Sequence, residues 1–471
     1  MIVGARCAGS AAAIALARAG RRVVAIDRAQ FPSDTLSTHL IWAGGVAELK
    51  RLGALERVEA LGAPRLPEAL AGWSGHEIRG GYTPVDGVDF ALCVRRPGLD
   101  AALVDTARAA GAEVREKCSA TEVVREDGRV AGVRYRDPNG DERELRAPLV
   151  VGADGRRSLV GREVGAEHPA MENENGRGCY FAYWRDARPE WRGIAAQWRS
   201  GEELVTAFPC DGRLLLVLLM PPVERAGAFK GDLEGEYERT VAAVPELAAR
   251  LEGCERATKV RHTPSTMSYF RRSSGPGWAL PGDAGHFKDP VTAQGIRDAL
   301  RFGRLLGETA APALDDTRAL DRALREWERR RDRECLEIYQ WTNLVGRGEA
   351  MNPIEAELYR LGDGDRQLGT TFLDVFSRTV RPAQLLTARR FARLTVRALV
   401  RGESDRGEVL RVAGRELRAA ARHGLQRLLL RLGGSMRYRS KSGAKPTRLA
   451  GEAPVYHARA WRGSSVGRAH D

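Results

Sequence analysis

The sequence predicts an α/β fold in which a three-layer domain is interrupted by a mostly β insertion and followed by a helical extension. Its 471 residues suffice for two to four domains with a sizeable core. Aromatic residues make up only 6% of the chain, whereas glycine (52) is abundant, which is typical of α/β proteins. Three apolar runs, one near the amino terminus and two later, each meet a glycine-containing turn, as strands of a layered sheet do.

The first of these turns lies in a βαβ pattern. Ile2–Val3 leads into Gly4, a segment of small residues follows through Gly9, and the second apolar run Val23–Ile26 ends at Asp27. This order is that of a Rossmann-like dinucleotide site: Gly4 allows the turn, and Gly9 allows helix and strand to approach closely. The helix start offers free N–H groups to a pyrophosphate, and Asp27 can accept hydrogen bonds from a ribose. The motif alone leaves open an ordinary βαβ unit with a glycine turn.

Two features depart from the usual pattern. Arg6 stands where the pattern has its middle glycine, and we expect its side chain to neutralise phosphate instead. The first strand is short, and we therefore expect the natural chain to begin upstream of Met1.

Two further motifs follow in a specific order. One apolar run ends in Asp154–Gly155 and a second ends in Gly282–Asp283, followed by Pro290 and Gln294–Gly295. Together with the βαβ unit, this order resembles the flavoprotein monooxygenases of the p-hydroxybenzoate hydroxylase type, over roughly residues 1–340. That superfamily also includes the geranylgeranyl reductases and the flavin halogenases.

The resemblance implies FAD as the cofactor and NADPH or NADH as a transient reductant. Arg96 matches an arginine at a helix start, Asp283 the aspartate near the ribityl chain, and Gln294–Gly295 a helix start at the flavin. The implied cofactor-binding residues are Gly4, Arg6, Gly9, Asp27, Arg28, Arg96, Val123, Asp154, Gly155, Gly282, Asp283, Pro290, Gln294 and Gly295. No catalytic residue is assigned; His286 and Pro290 are the candidates, because they lie in the loop between Asp283 and Gly295.

The resemblance also implies the domain organisation. We expect a discontinuous FAD-binding domain (1–72, 93–165 and 268–340), a substrate-binding sheet domain (73–92 and 166–267), a helical extension (341–432) and a disordered tail (433–471). The sheet would cover the flavin, and candidate substrate contacts are Tyr180, Tyr183, Phe208 and Met220; aromatic residues of a sheet core are the alternative.

The function implied is that of an NAD(P)H-dependent monooxygenase acting on an apolar or aromatic small molecule and O₂ through a flavin C4a-hydroperoxide. A prenyl (geranylgeranyl-type) C=C reductase is the alternative in the same fold, and a non-catalytic flavin-binding regulator is an alternative of another class. The seven cysteines are odd in number and include no C-x-x-C, so we expect no disulfide framework and no metal site. A chain without disulfides is typical of the reducing cytoplasm, where we expect this protein to be located.

The basic charge is concentrated at the carboxyl end. From Arg378 onward there are 22 Lys and Arg against 6 Asp and Glu, a net of +16 in a chain of net charge +13. Residues 409–432 predict a basic amphipathic helix that packs on the body or a second subunit, or lies on the inner membrane face. Nucleic-acid binding is not expected, because no recognisable module accompanies the charge. The oligomeric state stays open.

Residues 462–471 have an unusual composition. One allowed back-translation resembles the 5′ half of a bacterial transfer-RNA gene, and we expect the reading frame to run into such a gene there.

Overall fold

The structure is a computed structural model that describes residues 1–432. The predicted tail (433–471), with the segment 462–471, lies outside the described residues. The described chain has the predicted α/β fold, with a six-stranded central sheet, a large inserted sheet and a helical carboxyl-terminal region.

The elements follow one another in three stretches. The first contains β1 (Ile2–Val3), α1 (Cys7–Arg18), β2 (Val24–Ile26), β3 (Leu40–Ile41), α2 (Ala43–Arg51), α3 (Leu55–Glu59), β4 (Glu68–Trp73), β5 (His76–Gly80), β6 (Leu92–Cys93), α4 (Arg96–Ala109), β7 (Glu113–Arg115), β8 (Ser119–Glu126), β9 (Arg129–Arg136), β10 (Glu142–Arg146), β11 (Val150–Gly152) and α5 (Leu159–Glu163). The second contains β12 (Met171–Glu174), β13 (Cys179–Arg185), β14 (Ile194–Ser200), β15 (Glu203–Pro209), β16 (Leu214–Leu219), α6 (Ala226–Gly231), α7 (Leu233–Ala242), α8 (Pro245–Arg250), β17 (Glu255–Arg256), β18 (Arg261–Thr263) and β19 (Met267–Phe270). The third contains β20 (Ser274–Gly275), β21 (Trp278–Ala279), β22 (His286–Phe287), α9 (Gly295–Ala310), α10 (Thr317–Val345), α11 (Pro353–Gly362), α12 (Arg366–Ser377), α13 (Pro382–Leu385), α14 (Ala388–Arg401) and α15 (Arg406–Arg431).

The central sheet is the middle of three layers. Its order is β20-β21-β11-β1-β2-β7, and β1 pairs in parallel with both β2 and β11. Successive residues of a strand face opposite layers: Ile2 packs in the core formed by α1, α4 and α9, whereas Val3 packs in the core formed with the sheet β8–β10. The turn after β1 therefore lies at the edge of the central sheet where its parallel strands end.

The inserted sheet has the order β17-β13-β16-β15-β14-β4-β5, with β18 also paired to β13. One face is covered by α6, α7 and α8, and the other faces the central domain and the helical region. The sheet includes β4, which pairs in parallel with β14 from Glu68 onward, so this domain begins before the expected boundary at residue 73.

The boundary expected at residue 340 also differs from the structure. Helix α10 begins after Asp316, whose carboxylate accepts the N–H groups of Arg318 and Ala319, and it continues to Val345. Helices α11 to α15 then pack on α10, on β5 and on one another. Within the described residues, we find no helix with the length and apolar character needed to span a membrane.

Candidate functional site

A cavity of about 720 Å³ runs from the turn after β1 to the inner face of the inserted sheet. Its lining comes from elements far apart in the sequence: the β1–α1 turn, the end of β2, the start of α4, the loop before α9, and strands β13 and β16. Of the predicted cofactor residues, those that line it are Gly4, Arg6, Asp27, Arg28, Arg96, Asp154, Gly155, Asp283, Pro290 and Gly295.

The glycine turn is as tight as the motif requires. Gly4 has a φ of +93°, and a Cβ on this residue would lie 2.4 Å from the carbonyl oxygen of Ala153. A Cβ on Gly9 would lie 1.8 Å from the carbonyl oxygen of Gly4, so only glycine allows α1 this close to β1. Gly9 itself is buried behind the cavity wall.

Asp27 lies where β2 ends, inside the cavity. Its carboxylate accepts the N–H groups of Ala5 and Ala29, each at 2.8 Å, which fixes the side chain beside the turn. Arg28, the next residue, is exposed at the cavity edge.

Two arginines converge on one buried carboxylate at the start of α1. Asp100, whose side chain is fully buried, accepts from Arg6 and, at 2.9 Å, from Nη2 of Arg96. Arg6 also donates to Ser33, to its carbonyl oxygen at 2.9 Å and to its hydroxyl at 3.0 Å. One negative charge thus faces two positive ones, and the cavity keeps a net positive charge where a pyrophosphate would lie.

The residues through which β8 meets the cavity differ from the predicted one. Val123 does not line the cavity; it is buried in the core between the central sheet and β8–β10. Cys118, Ser119 and Ala120, at and just before the start of the same strand, line the cavity instead. The bulge in β8 between Ala120 and Glu122 shifts the register between these two parts of the strand.

The Asp154 carboxylate is hydrogen-bonded to neighbouring residues of the protein. Its carboxylate accepts the Ser158 hydroxyl at 2.5 Å and the N–H groups of Leu159 at 2.7 Å and Val160 at 3.2 Å, so it caps α5. Burial raises its pKa, although these hydrogen bonds act in the opposite direction. Gly155, whose φ is +79°, follows Asp154 directly and also lines the cavity.

Asp283 faces the cavity with an unpaired carboxylate. The carboxylate has no hydrogen bond or ion pair among residues 1–432, whereas its backbone carbonyl accepts the Tyr269 hydroxyl at 2.6 Å. Burial raises the pKa of Asp283, against the attraction of Arg156 and Arg96. Gly282, buried behind it with φ +63°, places the aspartate at this position.

The loop before α9 places its backbone, not the side chain of Gln294, at the cavity. Pro290 and Gly295 line the cavity, but the Gln294 amide turns away and donates to the carbonyl oxygens of Thr292 (3.2 Å) and Phe376 (2.9 Å). Between them, Ala293 has φ +50°, a left-handed conformation that favours glycine. The first N–H groups of α9 have no partners within the helix, and the cavity lies at this end.

His286 does not reach the cavity. The ring is 3% exposed, stacks on Phe270, and has no hydrogen bond on either nitrogen among the described residues. Burial lowers its pKa to about 3, so the ring is neutral. Its nearest charged neighbour, Asp298 at 3.6 Å, is held by Lys288 and by Arg297 at 2.8 Å. Cys335 completes a His–Asp–Cys group, but the Asp298 carboxylate of this group is already paired with these two cations.

The inserted sheet offers an apolar wall to the cavity. Phe181, Cys179 and Leu218 line it, with Phe287 beside them. The predicted substrate residues lie elsewhere: Tyr180 faces away and stacks on Phe229 at 3.8 Å between ring centroids, Tyr183 hydrogen-bonds His39 at 2.8 Å, and Phe208 and Met220 are core residues outside the lining. Alternation along β13 explains the difference between Tyr180 and Phe181.

Sequence reasoning missed several residues of the site. Asp100 and Lys288 carry no motif of their own, although Asp100 stands four residues after Arg96, the spacing of a helical ion pair. That spacing was a usable signal. The sequence contains no such signal for the wall residues Cys179 and Leu218, because alternation along a strand does not show which of its two faces lines the cavity.

A family model described as an FAD binding domain matches residues 1–335. The chain belongs to this FAD-binding family. It is an FAD-dependent oxidoreductase of the superfamily that includes flavin monooxygenases, halogenases and geranylgeranyl reductases.

Individual proteins give the same placement. A digeranylgeranylglycerophospholipid reductase of Methanosarcina mazei is 30% identical over 238 residues, which cover 49% of this chain and 55% of that protein. A flavoprotein/dehydrogenase from Cytophaga hutchinsonii has a TM-score of 0.72 at 18% identity, covering 85% of this chain and 97% of that one. PqsL from Pseudomonas aeruginosa, described as a probable FAD-dependent monooxygenase, has a TM-score of 0.61 at 21% identity, covering 79% and 98%. The structural likenesses show a shared fold.

The cavity fits an FAD molecule on its own geometry. The Gly4–Gly9 cradle leaves no room for a Cβ, the arginine pair leaves positive charge, and the Asp283 carboxylate is unpaired. The glycines are required by the packing of α1 on β1, whereas the positive charge and the carboxylate without a partner in the described chain are unfavourable alone and are satisfied by a dinucleotide.

Proposed function

We propose that the chain is an NADPH- or NADH-dependent monooxygenase that inserts one oxygen atom of O₂ into an apolar or aromatic small molecule. The supporting observation is the wall of Cys179, Phe181 and Leu218, with Phe287 beside it, at the flavin end of the cavity. Bound FAD would supply electron transfer from the nicotinamide to oxygen, and the protein residues would supply position, charge and exclusion of water.

The wall favours oxygen insertion because it lacks a ready proton donor. Net reduction of a C=C bond needs a proton delivered to carbon in addition to a hydride. The titratable group on this wall is the Cys179 thiol, and burial raises its pKa well above the ordinary value, which makes it a weak acid. Lys288 also lines the cavity, and its ammonium group is paired with the Asp298 carboxylate.

The other residues have binding roles in this proposal. Asp27 would accept from the adenosine ribose and Asp283 from the ribityl hydroxyls, while Arg6 and Arg96 would face the pyrophosphate. The start of α9, lined by Gly295, would present its positive dipole end to negative charge on the reduced flavin ring. Gly155 and Arg28 lie at the edge, where an incoming nicotinamide could approach.

A second candidate is an FAD-dependent reductase of isoprenoid C=C bonds. It is favoured by the position of the Cys179 thiol on the wall and by the similarity to the Methanosarcina reductase. In this reaction Cys179 would deliver the proton, so the two candidates assign opposite importance to one side chain.

The test uses the FAD-loaded chain without oxygen. NADPH or NADH should bleach the flavin absorbance; the reduced protein should then remain reduced with geranylgeraniol and reoxidise on admission of O₂, with peroxide released in the absence of substrate. Cys179→Ala should leave this oxygen reaction within about twofold of the parent. Reoxidation by geranylgeraniol under anaerobic conditions, lost in Cys179→Ala, would establish the reductase instead. A flavin that neither cofactor reduces would indicate the non-catalytic regulator.

A further inference from the structure

Helix α15 has two apolar faces. Val409, Ala413 and Ala419 are buried where the helix packs on the body. Along a neighbouring stripe of the helix a row of leucines at helical spacing remains half or more exposed, and we call it the leucine ridge: Leu410 (59%), Leu417 (57%), Leu425 (58%), Leu428 (50%) and Leu432 (76%). The helix therefore does more than cover the body.

The ridge is unusual for a surface in contact with water alone. Single exposed leucines are common, but a continuous apolar row along a helix of 26 residues marks a contact surface. The neighbouring α14 adds Val396 (57% exposed) and Val400 (80%). A partner is required that accepts apolar side chains over this length.

The charge around the ridge identifies the partner. Residues 386–432 contain 12 arginines and 4 acidic residues, a net of +8. Only Arg397, Arg401 and Arg415 of these form ion pairs within residues 1–432, so nine arginines have no carboxylate partner there. On α15 itself, Arg411, Arg418 and Arg422 lie beside the leucines. An apolar stripe flanked by arginines is typical of helices at anionic membrane surfaces.

A second cavity adjoins the carboxyl end of the ridge. It has a volume of about 410 Å³, and its lining includes two acidic residues, Glu334 and Glu337. The lining also includes seven arginines: Arg297, Arg301, Arg333, Arg378, Arg381, Arg427 and Arg431. We call it the arginine cavity.

Several of these arginines are incompletely partnered within the described chain. Nε of Arg297 is buried without a hydrogen bond, and Arg381, Arg427 and Arg431 have no carboxylate partner. Arg431 immediately precedes Leu432, so the cavity lies at the carboxyl end of α15, where the leucine ridge also ends. Arginine forks match phosphate oxygens in geometry as well as in charge.

We infer that α15 docks on an anionic phospholipid bilayer, with the leucine ridge in the headgroup layer and a lipid phosphate in the arginine cavity. A second copy of the chain fits less well, because it would place a net charge of +8 against +8. The residues after 432 are also basic, with 8 Lys and Arg against 2 Asp and Glu, and so do not complement the cavity. This inference is independent of the reaction proposed above, and the family match ends at residue 335.

The experiment is flotation of the full-length, FAD-loaded chain with two kinds of vesicle. Vesicles of equal parts phosphatidylglycerol and phosphatidylcholine should carry the protein, whereas vesicles of phosphatidylcholine alone should not, and added salt should release it. The double variant Leu417→Gln/Leu428→Gln should bind at least tenfold more weakly, and Leu386→Gln, an exposed leucine outside the ridge, should bind as the parent does. Unchanged flavin absorbance verifies that each variant is folded.

The arginine cavity is tested separately. Arg427→Gln/Arg431→Gln should weaken binding by roughly 25-fold, since each arginine near an anionic surface contributes roughly fivefold. The control Arg136→Gln, on β9, should have no effect. Loss of the double-variant effect when inorganic phosphate replaces chloride at equal ionic strength would assign the cavity to free phosphate and overturn the lipid part. Equal binding to both vesicles, or a ridge variant that changes only the oligomeric mass, would overturn the membrane proposal.

Discussion

Substitution of Asp283 by asparagine should change flavin affinity and the stability of the FAD-free protein in opposite directions. The carboxylate faces the cavity without a partner in the described chain, and burial raises its pKa. Loss of a hydrogen bond to a charged group costs about 1.5–3 kcal/mol, which corresponds to a 10- to 150-fold higher Kd for FAD. In the FAD-free protein, removing a charge that lacks its partner should raise the free energy of unfolding by about 1 kcal/mol.

The assay combines two measurements on the same preparations. Flavin fluorescence quenching gives the Kd for FAD, and urea unfolding of the FAD-free protein gives its stability. Asp154→Asn is the matched control: it makes the same change in the same cavity, but Asp154 caps α5, so this variant should lose about 1 kcal/mol of stability without FAD. An Asp283→Asn protein that binds FAD as tightly as the parent, or that loses stability as Asp154→Asn does, would refute the assignment of Asp283 to the cofactor.

Three further predictions concern the FAD-free fold and use urea unfolding. Ala293→Gly should raise the free energy of unfolding by about 0.5–1 kcal/mol, because relief of the left-handed φ exceeds the added flexibility of glycine; a loss would contradict this. Asp289, whose pKa burial raises to about 7, keeps a proton that the unfolded chain has lost, so stability should fall by about 1.4 kcal/mol per pH unit from pH about 4 to about 7. Asp289→Asn should remove that slope, and an unchanged slope would exclude this group. Asp100→Ala should cost about 3–5 kcal/mol, because Arg6 and Arg96 lose their shared carboxylate; a cost below 1 kcal/mol would show that the pair is solvated.

The amino-terminal part of the fold was predictable because its constraints are local. Gly4 and Gly9 are separated by five positions, and both are required by contacts within one βαβ unit and its neighbouring strand. Asp27 follows β2 directly, so its position at the strand end is set by the strand itself. A pattern over 27 residues contains all of this information, and the α/β fold class follows from it.

The substrate side was less predictable because its orientation depends on distant elements. Tyr180 and Phe181 are neighbours of similar type on β13, and the packing of α6, α7 and α8 decides which of them is turned from the cavity. His286 illustrates the same point. It lies in the motif loop, yet Phe270 and α9 enclose its ring away from the cavity. Adjacency to a motif in the sequence fixes where the backbone lies and leaves the side-chain direction to tertiary packing.

Two positions without the expected glycine show why a motif is better understood through its backbone angles than through its letters. Arg6 replaces the middle glycine of the first turn, but its φ is −75°, which any residue adopts, so the arginine leaves the turn intact and adds positive charge to the cavity. Ala293 occupies a position with φ +50°, where the absence of glycine carries a conformational cost. At Ala293 the flavin end of the cavity therefore retains a backbone conformation that is unfavourable to its residue, and strain retained beside a binding site indicates a functional constraint there.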